Sequence, residues 1–137
     1  MGDLAEGRGG AYAVGIPSID ALHVELEERL AALIHAGDDA QDELAALQDH
    51  LKRHFAHEES LMSGTEFPMA DCHAREHASV IEVVSEVQRL LAAGDRGPLG
   101  RLAPAMLEWL AVHAAGMDAA LANYLKRAVA PAAQPPV

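Results

Sequence analysis

The sequence predicts an all-α protein, built as an up-down-up-down antiparallel four-helix bundle. Apolar residues recur at steps of three and four along four long segments, whereas no segment alternates with the period of two typical of a strand. Ala, Leu, Glu and Gln, which favour helices, fill the segment interiors. Short connections separate the segments and make consecutive helices antiparallel neighbours. With 137 residues, the chain has the length of one domain with a single core.

The first two helices have recognisable beginnings. Gly15 and Pro17 precede the first helix, and Ser18 or Asp20 can cap its first turn. A turn that starts at Gly37 separates it from the second helix. Each helix carries an apolar stripe that predicts one buried face. The stripes are Ile19, Leu22, Leu26, Leu30 and Leu33, and then Leu44, Leu47, Leu51, Phe55 and Met62.

The third and fourth helices follow connections at residues 64–68 and 94–100. Because proline is tolerated in the first turn of a helix, Pro104 predicts that the fourth helix begins between Leu99 and Ala103. The stripes are Val80, Val84, Val87 and Leu91, and then Leu102, Met106, Trp109, Leu110 and Leu121. Around a bundle at residues 12–128, we expect a flexible arm at 1–11 and a Pro-rich tail at 129–137.

Composition excludes several classes of protein. Ten basic and 21 acidic residues give a formal charge of −11, which argues against nucleic acid or an anionic membrane as a partner. No apolar run approaches the roughly 20 residues of a membrane span, and the first residues lack the pattern of a signal peptide. We therefore expect a cytoplasmic protein. The single Cys72 makes neither an internal disulfide nor a CxxC site.

Histidine is the outlier of the composition. The chain has eight histidines, whereas about two to three per hundred residues is usual. Polar residues that continue the apolar stripes are His23, His54, Glu58, His73, His77 and His113. A buried ionisable group costs several kcal/mol unless it is paired, hydrogen-bonded or bound to a metal. A metal centre in the bundle interior offsets that cost for all of these residues at once.

Two local pairs have the spacing of metal ligands. His73 and His77 lie one helical turn apart, as do His54 and Glu58. Taken alone, each pair is also typical of a solvated helix surface. The coincidence of buried-face histidines on all four helices favours the metal site. Imidazole and carboxylate ligands accept manganese, zinc or cobalt as well as iron, so spacing leaves the metal open.

The position of Asp118 does not fit the helical spacing of the other candidate ligands. It follows His113 by five residues, which is about 140° around an ideal helix. Its carboxylate can reach the centre diagonally or through a local widening of the helix. The remaining histidines, His35, His50 and His57, fall off the stripes or near helix ends, and we interpret them as surface residues.

Four motifs occur in order along the predicted helices. They are Gly15-Ile16 followed by Asp20-x-x-His23, then His54-Phe55-x-x-Glu58-Glu59-x-x-Met62, then His73-x-x-x-His77, and finally Trp109-Leu110-x-x-His113-x-x-x-x-Asp118. Together they resemble the hemerythrin family, in particular its bacterial hemerythrin-like domains. The resemblance runs from Tyr12 to Tyr124 and covers all four helices.

The resemblance implies a non-haem di-iron centre that binds dioxygen reversibly. The implied ligands are His73, His77 and His113 on one iron, His23 and His54 on the other, and Glu58 and Asp118 as bridges. With an oxo or hydroxo bridge added, the second iron keeps an open position for dioxygen. The function would be oxygen storage, transport or sensing, without enzymatic activity, and the resemblance leaves open whether a separate signalling or acceptor protein takes part. The implied oxygen pocket comprises Phe55, Trp109, Leu110 and Ala114.

One residue of the chain departs from the family pattern. Relatives commonly carry a bulky residue, often Ile, where this chain has Ala114, which predicts a wider pocket with faster ligand exchange or faster autoxidation.

The main alternative to oxygen binding is a di-iron redox enzyme acting on peroxide, nitric oxide or a small substrate. Carboxylate-bridged di-iron proteins use Glu-x-x-His pairs, however, and this sequence contains none. The sequence also lacks the HExxH motif of zinc hydrolases. A plain interaction bundle would not require histidine on four buried faces.

Overall fold

Four long helical rods connected by short turns make up the part of the chain that the structure describes. The computed structural model describes residues 10–133, with side chains for residues 11–128. The helices are α1 (Pro17–Ile34), α2 (Ala40–Gly64), α3 (Ala70–Ala92) and α4 (Gly97–His113). A π-helical segment (Ala114–Asp118) continues α4 directly into α5 (Ala119–Ala133), so these three elements form the fourth rod. Short 3-10 turns lie at Gly10–Tyr12 and Gly37–Asp39. No strand occurs among residues 10–133, which confirms the all-α prediction.

The rods pack in a closed ring, since each of α1 to α4 contacts its chain neighbours and α4 returns to α1. The interior contains two apolar clusters. The larger one, built around Leu30, Leu47 and Val84, draws residues from α1 to α4. The smaller one comprises Ile19, Met62, Phe67, Leu121 and Leu125. Between the two clusters, the buried stripes carry polar side chains, so the bundle holds a polar layer inside an apolar core.

The turn into α1 depends on the carboxylate of Asp20, although in a way that the sequence did not predict. Neither Ser18 nor Asp20 caps the helix, whose N-cap is Ile16. Instead, the Asp20 side chain accepts hydrogen bonds from the backbone N–H groups of Val14, at 2.6 Å, and Gly15, at 3.1 Å. Gly15 has a φ of +90°, a conformation that glycine adopts without strain. This turn fastens the N-terminal segment to the bundle.

The start of α4 corrects another prediction. The helix begins at Gly97, not between Leu99 and Ala103, and Pro98 lies in its first turn, where a missing N–H costs nothing. Pro104 lies inside the helix, not in its first turn. It is exposed, as is Gly100 four residues earlier, so the carbonyl that loses its partner faces solvent.

The predicted ends of the domain fall mostly outside the described residues. Of the expected arm at 1–11, only Gly10 and Ala11 are described, within the first 3-10 turn. Helix α5 extends to Ala133, through part of the segment assigned to a Pro-rich tail, and residues 134–137 lie outside the described range. Among the described residues, no helix has the length and apolar character of a membrane span.

Candidate metal centre

The polar layer contains all seven residues predicted as metal ligands, and all of them are buried. His23 comes from α1, His54 and Glu58 from α2, His73 and His77 from α3, His113 from the end of α4, and Asp118 from the end of the π-helical segment. None has more than 3% of its surface exposed. A layer of this kind is stable only if its charges and hydrogen-bonding groups are paired with one another or with a bound ion.

The π-helical segment brings Asp118 to the centre. In an α-helix, a residue five positions after His113 would point about 140° away from it. In the segment Ala114–Asp118, the helix widens by one residue, so that positions five apart lie on the same face. As a result, Asp118 Oδ1 lies 3.1 Å from His113 Nε2. The structure therefore shows that Asp118 reaches the centre through a local widening of the helix, and not diagonally across a regular helix.

Three histidines form one half of the centre. His73 Nε2 lies 3.1 Å from His113 Nε2 and 3.0 Å from Asp118 Oδ1. His77 Nε2 lies 3.1 Å from Glu58 Oε1. The ligand atoms of these five residues all lie within 4.8 Å of one another, which is the size of the first coordination shell of one metal ion.

Two histidines form the other half. His54 Nε2 lies 3.0 Å from Glu58 Oε2, and His23 Nε2 lies 3.9 Å from the same oxygen. His23 Nε2 also lies 2.9 Å from Asp118 Oδ2. Ligand atoms of His23, His54 and Glu58 again fall within 4.8 Å of one another. This half therefore has one imidazole fewer than the first.

The two carboxylates join the halves, because each divides its oxygens between them. Glu58 turns Oε1 towards the three-histidine half and Oε2 towards His54. Asp118 turns Oδ1 towards the three-histidine half and Oδ2 towards His23. In this position each carboxylate offers one oxygen to each half. Seven side chains thus offer five ligand atoms to one half and four to the other.

The histidines control the charge of the buried carboxylates. Burial by itself raises the pKa of the Glu58 carboxyl, but contacts with His54 and two further imidazoles outweigh it, and the pKa lies well below its usual value. The same balance lowers the pKa of Asp118. Conversely, burial lowers the pKa of His73, yet its contacts with Asp118 and Glu58 outweigh burial and raise the pKa to about 9. Both carboxylates are therefore ionised at neutral pH.

Most of the ligand imidazoles are held in place through their second nitrogen. His23 Nδ1 donates a hydrogen bond of 2.8 Å to the carbonyl oxygen of Tyr12. His77 Nδ1 donates to Glu59, and His113 Nδ1 donates to Glu76. These bonds place an N–H on Nδ1 of each ring and direct Nε2 at the centre, where a metal ion would bind it. His73 Nδ1 has no partner within residues 11–128.

Aromatic side chains cover the three-histidine half. Phe55 stacks on His77 with ring centroids 3.9 Å apart, and Trp109 stacks on His113 at 4.3 Å. Leu110 is fully buried in the larger apolar cluster. Ala114 is also buried and lines a cavity of about 330 Å³ between the π-helical segment and the N-terminal residues. Tyr12, whose carbonyl oxygen bonds His23, also borders that cavity, but none of the seven candidate ligands lines it.

One histidine, His50, does not lie where the sequence predicts. His50, interpreted as a surface residue, is fully buried, and its Nε2 lies 3.0 Å from His54 Nδ1. Burial lowers the pKa of His50, against the opposing contact with Glu25. The signal available in the sequence was its spacing, since His50 lies one helical turn before His54. Of the other two, His35 is exposed and His57 is half-buried, with a hydrogen bond to Ser18.

The donor set fits metal cations. Five imidazoles and two carboxylates are the ligands that iron, zinc and neighbouring transition metals accept. Three of the atoms that face the centre make no hydrogen bond of good geometry despite their short contacts: Glu58 Oε1, Asp118 Oδ1 and His77 Nε2. Such buried polar atoms require a partner, and a cation among them supplies it.

Comparison with known proteins agrees with this geometry. The family model described as "Hemerythrin HHE cation binding domain" matches residues 14–125. The chain belongs to the hemerythrin family, as its motifs predicted, and the matched range includes all seven residues of the buried cluster. Among its relatives is the bacteriohemerythrin of Ralstonia nicotianae (strain ATCC BAA-1114 / GMI1000), which is 34% identical over 116 residues, 84% of this chain and 85% of that protein. No solved structure matches the chain significantly.

Proposed function

We propose that this protein binds dioxygen reversibly at a pair of iron ions held in the polar layer, and that it does not act as an enzyme. One observation carries the proposal. Two bridging carboxylates connect halves that differ by one imidazole, with five protein ligand atoms in one half and four in the other. The half with fewer protein ligands has room for an exogenous ligand.

The pair of metals would supply what the side chains lack. When bound with the oxo or hydroxo bridge that the resemblance implies, two ferrous ions provide dioxygen with an open coordination position and with two electrons that return when it leaves. His23 and His54 would hold the ion with the open position, while His73, His77 and His113 would hold the other. Glu58 and Asp118 would bridge them.

The surrounding residues favour binding over catalysis. Neither carboxyl in contact with the centre serves as a general acid near neutral pH, because both have lowered pKa values. The imidazoles, including His73 with its raised pKa, would be occupied by the metals. Phe55, which stacks on His77, and Leu110, three residues before His113, are buried and exclude water, which would slow oxidation of the metal pair. These features support oxygen storage, transport or sensing.

The test measures the iron content of the protein and whether its spectral change with oxygen is reversible. We expect two irons per chain and a visible absorption that appears when the reduced protein meets oxygen and disappears when the oxygen is removed. Irreversible oxidation would contradict reversible binding and favour a redox enzyme for peroxide, nitric oxide or a small substrate. Absence of iron after reconstitution would refute the iron centre.

A pair of histidine variants gives the control. His54→Ala removes a ligand from the two-histidine half, and we expect it to lose one iron and the reversible spectrum. His57→Ala removes a histidine from the same helix that bonds Ser18 instead. This second variant should keep both irons and the reversible spectrum. Equal behaviour of the two variants would contradict the assignment of His54.

A further inference from the structure

A chain of buried contacts connects the two-histidine half with the protein surface. His50 Nε2 lies 3.0 Å from His54 Nδ1, and His50 Nδ1 lies 3.0 Å from Glu25 Oε2. Glu25 belongs to α1, is 39% exposed, and accepts a hydrogen bond of 2.9 Å from Arg53. The contacts therefore lead from a surface ion pair, through two imidazoles, to a metal ligand.

The direction of the hydrogen bonds follows from metal binding. A histidine that binds a cation through Nε2 has its proton on Nδ1, so His54 must donate to His50 Nε2. A neutral His50 that accepts on Nε2 has its own proton on Nδ1, the atom that faces Glu25. The contact with Glu25 has the length of an ion pair, although the N–H does not point straight at the oxygen. Each residue thus determines the tautomer of the next.

We propose that His50 is a positioning residue for the two-histidine half, and that it transmits the negative charge of Glu25 to His54. The charge strengthens electron donation by His54 to the metal that it binds, while the hydrogen bond holds its ring in the binding orientation. The three-histidine half depends on other acceptors, Glu59 and Glu76. Loss of His50 therefore weakens one half of the centre selectively. The proposal rests on two metals binding at the centre, but not on their reaction with dioxygen.

The experiment measures the release of Zn²⁺ from the zinc-loaded protein to a colorimetric chelator. Because zinc neither changes oxidation state nor binds dioxygen, the result is independent of oxygen binding. We expect the unsubstituted protein to release two zinc ions per chain in two kinetic phases, with the two-histidine half as the faster one. In His50→Leu, the faster phase should accelerate by about 10- to 100-fold, the usual effect of losing such a supporting partner, and the slower phase should not change.

A conservative variant separates positioning from packing. In His50→Gln, the amide oxygen can accept from His54 and the amide N–H can donate towards Glu25, so we expect release close to that of the unsubstituted protein. Unchanged release from His50→Leu would overturn the proposal. Equal acceleration of both phases would also overturn it, since this is the result expected from general loosening of the bundle.

A surface variant keeps the proposal testable if His50→Leu does not fold. Glu25→Gln removes the charge at a partly exposed position, and should accelerate the same phase to a smaller extent than His50→Leu would. Glu28→Gln removes an equal charge from an exposed position on α1 and should leave both phases unchanged. Equal effects of the two glutamine variants would refute transmission through His50. If zinc release behaves as expected but no reversible spectrum appears with iron, the proposed function fails and this inference stands.

Discussion

The Asp20 carboxylate joins the stability of the fold to the metal centre. Its two oxygens accept hydrogen bonds from Val14 N–H and Gly15 N–H, and so hold the N-terminal segment against the bundle. That segment includes Tyr12, whose carbonyl oxygen accepts the Nδ1 proton of His23. We expect Asp20→Ala to release the segment, and with it the acceptor that orients one ligand of the two-histidine half.

The size of the effect follows from the number of hydrogen bonds lost. A hydrogen bond to a charged group contributes about 1.5–3 kcal/mol, and Asp20 is 8% exposed, so solvent weakens these bonds little. Since the freed N–H groups can reach water once the segment moves, we expect the free energy of unfolding to fall by about 2–4 kcal/mol in total. For a domain of this size, that corresponds to a decrease in Tm of roughly 6–12 °C.

Urea unfolding of the metal-free protein measures this difference without a contribution from bound metal. Asp20→Asn retains one acceptor oxygen and should lose about half as much stability as Asp20→Ala. The control is Asp49→Ala, at an exposed position in the middle of α2, which should change the free energy of unfolding by no more than about 0.5 kcal/mol. A change of that small size in Asp20→Ala would refute the reasoning. In the zinc-loaded protein, Asp20→Ala should also accelerate release from the two-histidine half.

Two further substitutions and the dependence on pH test other parts of the structure. Ala114→Ile should fill part of the cavity of about 330 Å³ that Ala114 and Tyr12 line, and should slow autoxidation in air; an unchanged rate would count against that cavity as a route to the centre. Because the pKa of His73 is raised to about 9, metal loading near pH 7 should release a proton, measurable in weak buffer, and metal affinity should rise up to about pH 9. The same raised pKa stabilises the metal-free fold below about pH 6.5, and this contribution should be lost as the pH rises through about 9. Leu51→Ala, at a fully buried position, should cost about 2–5 kcal/mol in urea unfolding, whereas Ile34→Ala, at a position that is 55% exposed, should cost less than about 1 kcal/mol.

The sequence alone was sufficient for the class of fold and for the seven residues that meet in the buried cluster. Helical periodicity is a local property, so apolar stripes and histidines four residues apart identify buried faces without knowledge of what they face. His73 and His77 share a face because of the geometry of one helix, and the same holds for His54 and Glu58. Their agreement with the family motifs extended this reasoning to residues on different helices, including His23 and His113.

Only the tertiary structure shows how Asp118 reaches the centre and which residues His50 and Asp20 contact. The spacing of His113 and Asp118 allowed two routes to the centre, and only the π-helical segment shows which one is taken. The position of His50 on its helix did not reveal that Glu25 faces it from α1. Asp20 looked like a helix cap but bonds the segment before the helix. In each case the contact involves a residue outside the regular helix or depends on a change in helix geometry. The spacing of apolar residues describes only one regular helix at a time, so it does not reveal such contacts.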